Sequence, residues 1–260
     1  MDLKFQESAI SQIQSLAEKD VHSILISGLR GTGKTHIAKL FASYKGINTF
    51  HTVKPKVADL KDMIDSSYRL QDKQVICIEN LDDGKSAAAQ VILKYLEEPL
   101  PNVYVIVTCV NSSKLPDTII SRSISVQLST PRVNELQQYA RSLNAQRYTA
   151  YKDYTVFSTC KSLSDVKTIL SLTLDQVKYY DSFENIKPLF KQSSDTILWT
   201  LGHYYDNSKS NCILALRCIR KSSDDIKIRQ LALDSLLALE DGKLSETAIL
   251  GKFVLNVKVS

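Results

Sequence analysis

No stretch of the sequence stays apolar over the roughly 20 residues that a bilayer-spanning helix needs. The longest apolar run, Val103 to Val110, is interrupted by Tyr104 and Thr108, which excludes a hydrophobic transmembrane helix. The opening residues, Met1-Asp2-Leu3-Lys4-Phe5, lack the basic-then-apolar pattern and small-residue cleavage site of a secretory signal, so a cytoplasmic location is expected, with no membrane partner. Five cysteines, at 77, 109, 160, 212 and 218, make no C-x-x-C pair, and the four histidines make no H-E-x-x-H. Structural zinc and zinc hydrolysis therefore have no visible ligands, and reduced thiols are expected. A net charge of +5 permits nucleic-acid contact without demanding it. With 43% hydrophobic and 23% charged residues, the chain has the composition of a globular protein rather than a disordered one.

The first half carries short β-branched runs separated by helical patterns, the signature of a mostly parallel sheet covered on both faces. Candidate strands are Ser23 to Ser27, Asn48 to Val53, Gln74 to Ile78, Val103 to Cys109 and Ser123 to Leu128. Apolar residues at three-to-four spacing predict helices over Gln6 to Ala17, Thr35 to Ser43, Val57 to Ser67 and Ser86 to Glu98. Near residue 130 the strand pattern stops, and Thr130-Pro131 reads as an N-cap followed by a proline in the first helical position. Beyond it, Val133, Leu136, Tyr139, Ala140 and Leu143 share one helical face, as do Val166, Ile169, Leu170, Leu174 and Val177. Further helical patterns run over Thr196 to Tyr205, Asn211 to Arg220, Asp225 to Ala238 and Ser245 to Leu255.

Glycine is scarce, eight in the chain, yet Gly28, Gly31 and Gly33 fall within six residues directly after the first strand. The run Gly28-Leu29-Arg30-Gly31-Thr32-Gly33-Lys34-Thr35 fits G-x-x-x-x-G-K-[ST] and leads into a helical pattern. Such a loop turns its backbone N–H groups onto phosphate oxygens, aided by the positive end of the following helix. Gly28, Arg30, Gly31, Thr32, Gly33, Lys34 and Thr35 are accordingly the candidate nucleotide-binding set, with Lys34 on the β/γ phosphates and Thr35 on Mg²⁺.

A second carboxylate is needed at the end of a neighbouring strand to hold the metal. Val75-Ile76-Cys77-Ile78 ends in Glu79, which can join Thr35 as a Mg²⁺ ligand. The next residue is Asn80, an amide that cannot take a proton from water as a carboxylate does. Metal binding is expected and hydrolysis is expected to be slow or absent. Asp82 and Asp83 lie in the loop beyond and are poorer substitutes.

Three further segments carry a resemblance: Ser86 to Pro99, closing on Leu96-Glu97-Glu98-Pro99; Asn102 to Thr108; and Lys114-Leu115-Pro116 running to Ser121-Arg122-Ser123. Together with the glycine loop they resemble the AAA+ subunits of sliding-clamp loaders, chiefly the bacterial DNA polymerase III gamma/tau and delta-prime subunits, over about residues 22 to 130. The resemblance implies an AAA+ P-loop domain over 1–130 with a five-stranded parallel sheet between helices, a helical lid over 131–180 and a helical oligomerisation collar over 181–260. It implies ATP and Mg²⁺ as cofactors. Other clamp-loader subunits in a pentameric-type ring, a sliding clamp and primer–template DNA are the implied partners.

By the same resemblance Arg122 is an arginine finger acting in trans on a neighbouring subunit, with Ser123 in the place of the family's cysteine. Asn111 is the nearest match to a γ-phosphate sensor, and Ser164-Asp165-Val166-Lys167 resembles the lid motif that brings a cation, here Lys167, to the phosphates. Lys85 and Ser86 are candidate contacts to DNA phosphates, and Trp199 a packing anchor of the collar. The family's usual four-cysteine insertion is absent, and Glu79-Asn80 replaces its Asp-Glu pair. The Glu79-Asn80 pair resembles that of stator-type subunits, and the compact length with both departures would suit a phage or reduced-genome replisome. A replication initiator or helicase loader shares the P-loop, but the L-E-E-P and S-R-x motifs rank it below a clamp-loader subunit.

Overall fold

The structure, a computed structural model, describes residues 4–84, 86–181, 209–241 and 245–259. The expected helix over Thr196 to Tyr205 and Trp199 lie outside the described residues, as does Lys85. The chain divides into two compact units, Met1–Pro131 and Arg132–Ser260.

In the first unit, five parallel strands, β1 (Ser23–Ser27), β2 (Thr49–Val53), β3 (Gln74–Ile78), β4 (Val103–Cys109) and β5 (Ile124–Gln127), lie in the order β2-β3-β4-β1-β5. Helices α1 (Glu7–Ala17), α2 (Lys34–Tyr44), α3 (Val57–Ser67), α4 (Ser86–Glu97) and the short α5 (Asp117–Ser121) connect them. Every residue of β3 and β4 is buried, which is why these strands read as unbroken apolar runs. The edge strands β2 and β5 are half exposed.

Each helix turns one stripe to the sheet. Ala9, Ile13, Leu16 and Ala17 are the buried face of α1, and Ile37, Ala38, Phe41 and Ala42 that of α2. Burying a side chain of the size of Phe41 contributes about 2–3 kcal/mol relative to leaving it in water. Against the other face, Ala88, Ala89, Ile92, Tyr95 and Leu96 of α4 join Leu60 of α3 and Ile76, Val105 and Val107 of the sheet in one core. Polar pairing closes the unit at its ends. Gln6 gives its amide N–H to the Ser129 carbonyl (2.9 Å) and receives the Ser129 N–H (3.0 Å), tying the start of α1 to the chain leaving β5.

The second unit is helical throughout its described residues: α6 (Val133–Leu143), α7 (Ala145–Tyr151), α8 (Thr155–Ser158), α9 (Leu163–Ser171), α10 (Leu174–Asp181), α11 (Lys209–Ser222), α12 (Ile226–Asp241) and α13 (Glu246–Val259). Three features depart from the sequence reading. The N-cap of α6 is Arg132 and the helix begins at Val133, because the Glu135 carboxylate accepts the Arg132 N–H at 2.5 Å and fixes the start beyond Thr130-Pro131. The face running from Val166 to Val177 is split between α9 and α10. Thr173 and Gln176 exchange side-chain and backbone hydrogen bonds there, a capping box that starts a new helix. The short helices α7 and α8 have no counterpart in the sequence pattern; Asn144 ends α6 and caps α7 by accepting the Arg147 N–H at 2.9 Å.

Asp165 is the polar hub of this unit. Its carboxylate accepts the N–H groups of Lys161 (2.8 Å) and Ser162 (3.0 Å) at the start of α9 and pairs with Arg217 of α11 at 2.8 Å. Lys167, in the same motif, is exposed.

Candidate nucleotide site

The order of the sheet places β4 between β1 and β3, so the loops leaving these three strands share one edge. Leaving β1, the chain passes so close to the residue that follows β5 that a Cβ on Gly28 would stand 2.9 Å from the Leu128 Cβ. Gly31 and Gly33 follow at φ +75° and +101°, left-handed backbone that glycine adopts without steric penalty. Gly33 is the N-cap of α2, and the first N–H groups of that helix have no partner within it. Thr32 stiffens the loop by donating its hydroxyl to the Leu29 carbonyl at 2.8 Å. Arg30 leaves the loop to pair with Asp83 at 2.5 Å.

Lys34 is only 7% exposed, and its ammonium donates to the carbonyls of Gly28 (2.8 Å) and Leu29 (3.1 Å). Burial lowers its pKa below the ordinary lysine value; the Asp82 carboxylate opposes this and the Arg30 guanidinium adds to it. A buried ammonium held against its own loop's carbonyls is set to exchange them for phosphate oxygens. The Thr35 hydroxyl donates to Glu79 Oε1 at 2.9 Å, which puts two hard oxygen donors side by side. That donor pair fits Mg²⁺, and the loop with Lys34 fits the phosphates of a nucleotide.

On the other side of this pair the backbone turns sharply. Asn80, at φ +47° and ψ +60°, is the one residue besides glycine with positive φ among the described residues. Asparagine is the side chain that tolerates this left-handed region best. Its N–H is held by the Thr108 hydroxyl at 2.9 Å, and that hydroxyl donates in turn to the Ile78 carbonyl at 3.3 Å. In the turn that follows, Leu81–Asp83, the Asp82 carboxylate accepts the N–H groups of Val110 (3.0 Å) and Asn111 (2.9 Å). The end of β3 and the end of β4 are therefore bolted together by Thr108 and Asp82.

The side-chain oxygen of Asn111 accepts the Ser113 N–H at 3.0 Å and caps the turn Ser112–Lys114, a bond that uses the acceptor of this amide and not the N–H donors a phosphate would meet. Cys109, buried at the end of β4, has its thiol pushed up to about 11 by burial and is no nucleophile near neutral pH. Ser86 opens α4. Arg122 stands just past the C-terminal end of α5, a little over a third exposed, with its guanidinium on Glu97 Oε1 (2.9 Å) and the Thr118 carbonyl (3.1 Å). Ser123 is engaged too: its hydroxyl shares a 2.8 Å hydrogen bond with Ser23 at the start of β1.

The sequence reading brought Lys34, Thr35 and Glu79 to one place, and the structure does so. The grip of Asp82 on the N–H groups after β4, the Thr108 bridge and the pairing of Glu97 with Arg122 are additions of the structure. Thr108 leaves a faint signal in the sequence, one of two hydroxyl-bearing residues in an otherwise apolar run.

The five-stranded parallel sheet, its helices and its glycine loop form the AAA+ P-loop fold, with a helical region beyond. A gamma-subunit-related DNA polymerase III protein of Thermotoga maritima superposes with a TM-score of 0.59, covering 96% of this chain and 99% of that one at 13% identity. Residues 44–132 match the family model described as DNA polymerase III, delta subunit. Among curated relatives, the chain is 28% identical to DNA polymerase III subunit gamma of Buchnera aphidicola over 44% of its length and 39% of the relative's. It is 26% identical to DNA polymerase III subunit delta' of Haemophilus influenzae over 52% and 43%. The chain spans less than half the length of these relatives. Its likeness is thus to the gamma, tau/gamma and delta' subunits of bacterial DNA polymerase III. No helix among the described residues is long and apolar enough to cross a membrane.

Proposed function

We propose that the chain is a sliding-clamp loader subunit that binds ATP with Mg²⁺, joins other loader subunits in a pentameric-type ring, and takes part in opening and loading a clamp on primer–template DNA in the cytoplasm. Lys34 and the loop N–H groups hold the phosphates in this reading, and Thr35 and Glu79 hold the metal. The bound Mg²⁺–nucleotide supplies the γ-phosphate whose developing charge a neighbouring arginine would stabilise. Arg122 is offered to the adjacent subunit's site, while Asn111 and Lys167 serve at most as secondary phosphate contacts. Residues 131–180 act as lid and 181–260 as collar, and Lys85 and Ser86 meet DNA phosphates.

The observation that carries this reading is the coexistence of an intact phosphate-and-metal half, with Thr35 on Glu79 at 2.9 Å, and an amide at residue 80. That combination favours binding over turnover. A second reading, a delta-prime-like stator with no hydrolysis of its own, gains support from the backbone of Asn80, whose left-handed geometry favours asparagine over the longer glutamate of the family's Asp-Glu pair.

The test is nucleotide binding and steady-state ATP hydrolysis by the full chain, alone and with the loader subunits, clamp and primer–template of its own organism. Lys34→Ala is expected to weaken ATP binding about a hundredfold, in line with loss of a charge-assisted phosphate contact. Asn80→Glu is expected to raise turnover by about tenfold or more if the missing base limits it. A wild-type chain that turns over rapidly and loses that activity in Lys34→Ala would show a motor subunit and overturn the reading of Asn80.

A further inference from the structure

The L-E-E-P and S-R-x segments, far apart in sequence, meet in the structure. Glu97 is the last residue of α4, and its carboxylate receives the Arg122 guanidinium at 2.9 Å; a second N–H of the same guanidinium goes to the Thr118 carbonyl at 3.1 Å. We infer that Glu97 is a positioning residue for Arg122: it holds the guanidinium in one direction at the surface, so that the arginine enters a neighbouring subunit's nucleotide site already ordered. This inference rests on the proposed role of Arg122 in trans.

Three features of the pair support it. A carboxylate at the C-terminal end of a helix opposes the helix dipole, so Glu97 is poorly placed for the stability of α4 and needs another account. Arg122, by contrast, is well placed, since a cation at the end of α5 complements the carbonyls there, Thr118 among them. Both side chains are also partly exposed, 37% for Arg122 and 50% for Glu97. Exposed pairs add little to folding, so the geometry they impose is their main effect. An arginine carries several rotatable bonds, and a guanidinium held at two of its five N–H groups keeps the rest free for a phosphate oxygen while losing less freedom on docking. The position of Ser123 strengthens the frame, because its hydroxyl bond to Ser23 fastens the residue after Arg122 to the start of β1.

The experiment is ATP hydrolysis by the reconstituted loader containing this full chain as wild type, Arg122→Ala, Glu97→Gln, Glu97→Asp or Arg122→Ala with Glu97→Gln. Turnover is read at the neighbour's site, with Lys34→Ala in this chain silencing its own. Arg122→Ala is expected to lower kcat about a hundredfold or more, as loss of an arginine finger does. Glu97→Gln should lower kcat about fivefold with KM unchanged within about twofold, a split that marks an interaction made in the transition state. Glu97→Asp, which keeps the charge one methylene shorter, should fall between. In the Arg122→Ala background, Glu97→Gln should have no further effect.

The inference is overturned if Arg122→Ala cripples turnover while Glu97→Gln leaves kcat unchanged or raises it, or if the two losses multiply in the double variant. If Arg122→Ala itself is without effect, the proposed trans role of Arg122 fails first and takes the positioning role with it.

Discussion

The loop from Gly28 to Thr35 and the turn from Glu79 to Asp83 face one another across the Thr35–Glu79 hydrogen bond, but they are held in shape by different means. The loop is shaped by backbone freedom: glycines at positive φ, a Thr32 hydroxyl and a lysine folded back on its own carbonyls. The turn is shaped by neighbours: Thr108 holds the Asn80 N–H, and Asp82 grips the N–H groups that follow β4. The comparison separates two tasks. Holding a nucleotide needs donors that converge, which the loop provides. In the proposed function, activating water would call for a carboxylate at residue 80, where the chain instead places an amide on a left-handed backbone turn.

The largest effect on this contrast is expected from Asp82. Hydrogen bonds to a charged acceptor contribute about 1.5–3 kcal/mol each when sheltered, less when water reaches them, and Asp82 is half-buried. Asp82→Ala should therefore destabilise the chain by about 2 kcal/mol, and Asp82→Asn by about half of that, because the amide oxygen still accepts. Chemical denaturation of both variants checks the ratio. Equal losses would mean that the charge rather than the acceptor geometry holds the turn. Loss of the carboxylate also removes the main influence that raises the Lys34 pKa, so the two halves of the site should respond together.

Asn80 tests the contrast more finely. If its left-handed backbone governs its identity, Asn80→Gly should be neutral within about 0.5 kcal/mol, while Asn80→Ala and Asn80→Glu should each lose about 1 kcal/mol. The measurement is again denaturant unfolding, made without nucleotide. An Asn80→Glu chain as stable as wild type would show that the turn accepts a carboxylate freely, leaving only the chemistry of the amide to explain its presence.

These residues also mark where reading the sequence stops. The ends of β1, β3, β4 and α3 were legible because strands buried on both faces, and a helix with one apolar stripe, leave periods in the sequence. The break between α9 and α10 was not, since the apolar stripe continues across it while the Thr173–Gln176 bonds interrupt the helix. Helices as short as α7 and α8 offer too few turns for a period to emerge. Within the site, Lys34 and Thr35 are legible from the spacing of the glycine run, and Glu79 as the carboxylate that ends an apolar strand. The left-handed φ of Asn80 leaves no pattern, and the approach of Glu97 to Arg122 depends on how α4 and α5 end side by side, which no local signal records.

The smallest effect in the nucleotide-free chain concerns Lys34 itself. Because burial lowers its pKa, the folded chain holds this proton less tightly than the unfolded chain does. The resulting penalty is complete below the folded-state pKa and disappears as the pH rises past the ordinary lysine value of 10.5. Lys34→Met keeps the length of the side chain without its charge. Without nucleotide it should raise Tm at pH 7 by about 1–2 °C, a gain that vanishes by about pH 11. With ATP at about a hundred times its Kd, the order should reverse, since ligand linkage then adds about 2.7 kcal/mol to the chain that still binds. Thermal melts at two pH values, with and without ATP, read both signs. A variant less stable than wild type in the nucleotide-free melt at pH 7 would mean that the bonds from Lys34 to the Gly28 and Leu29 carbonyls outweigh its desolvation, and that the loop is built for its own stability as much as for phosphate.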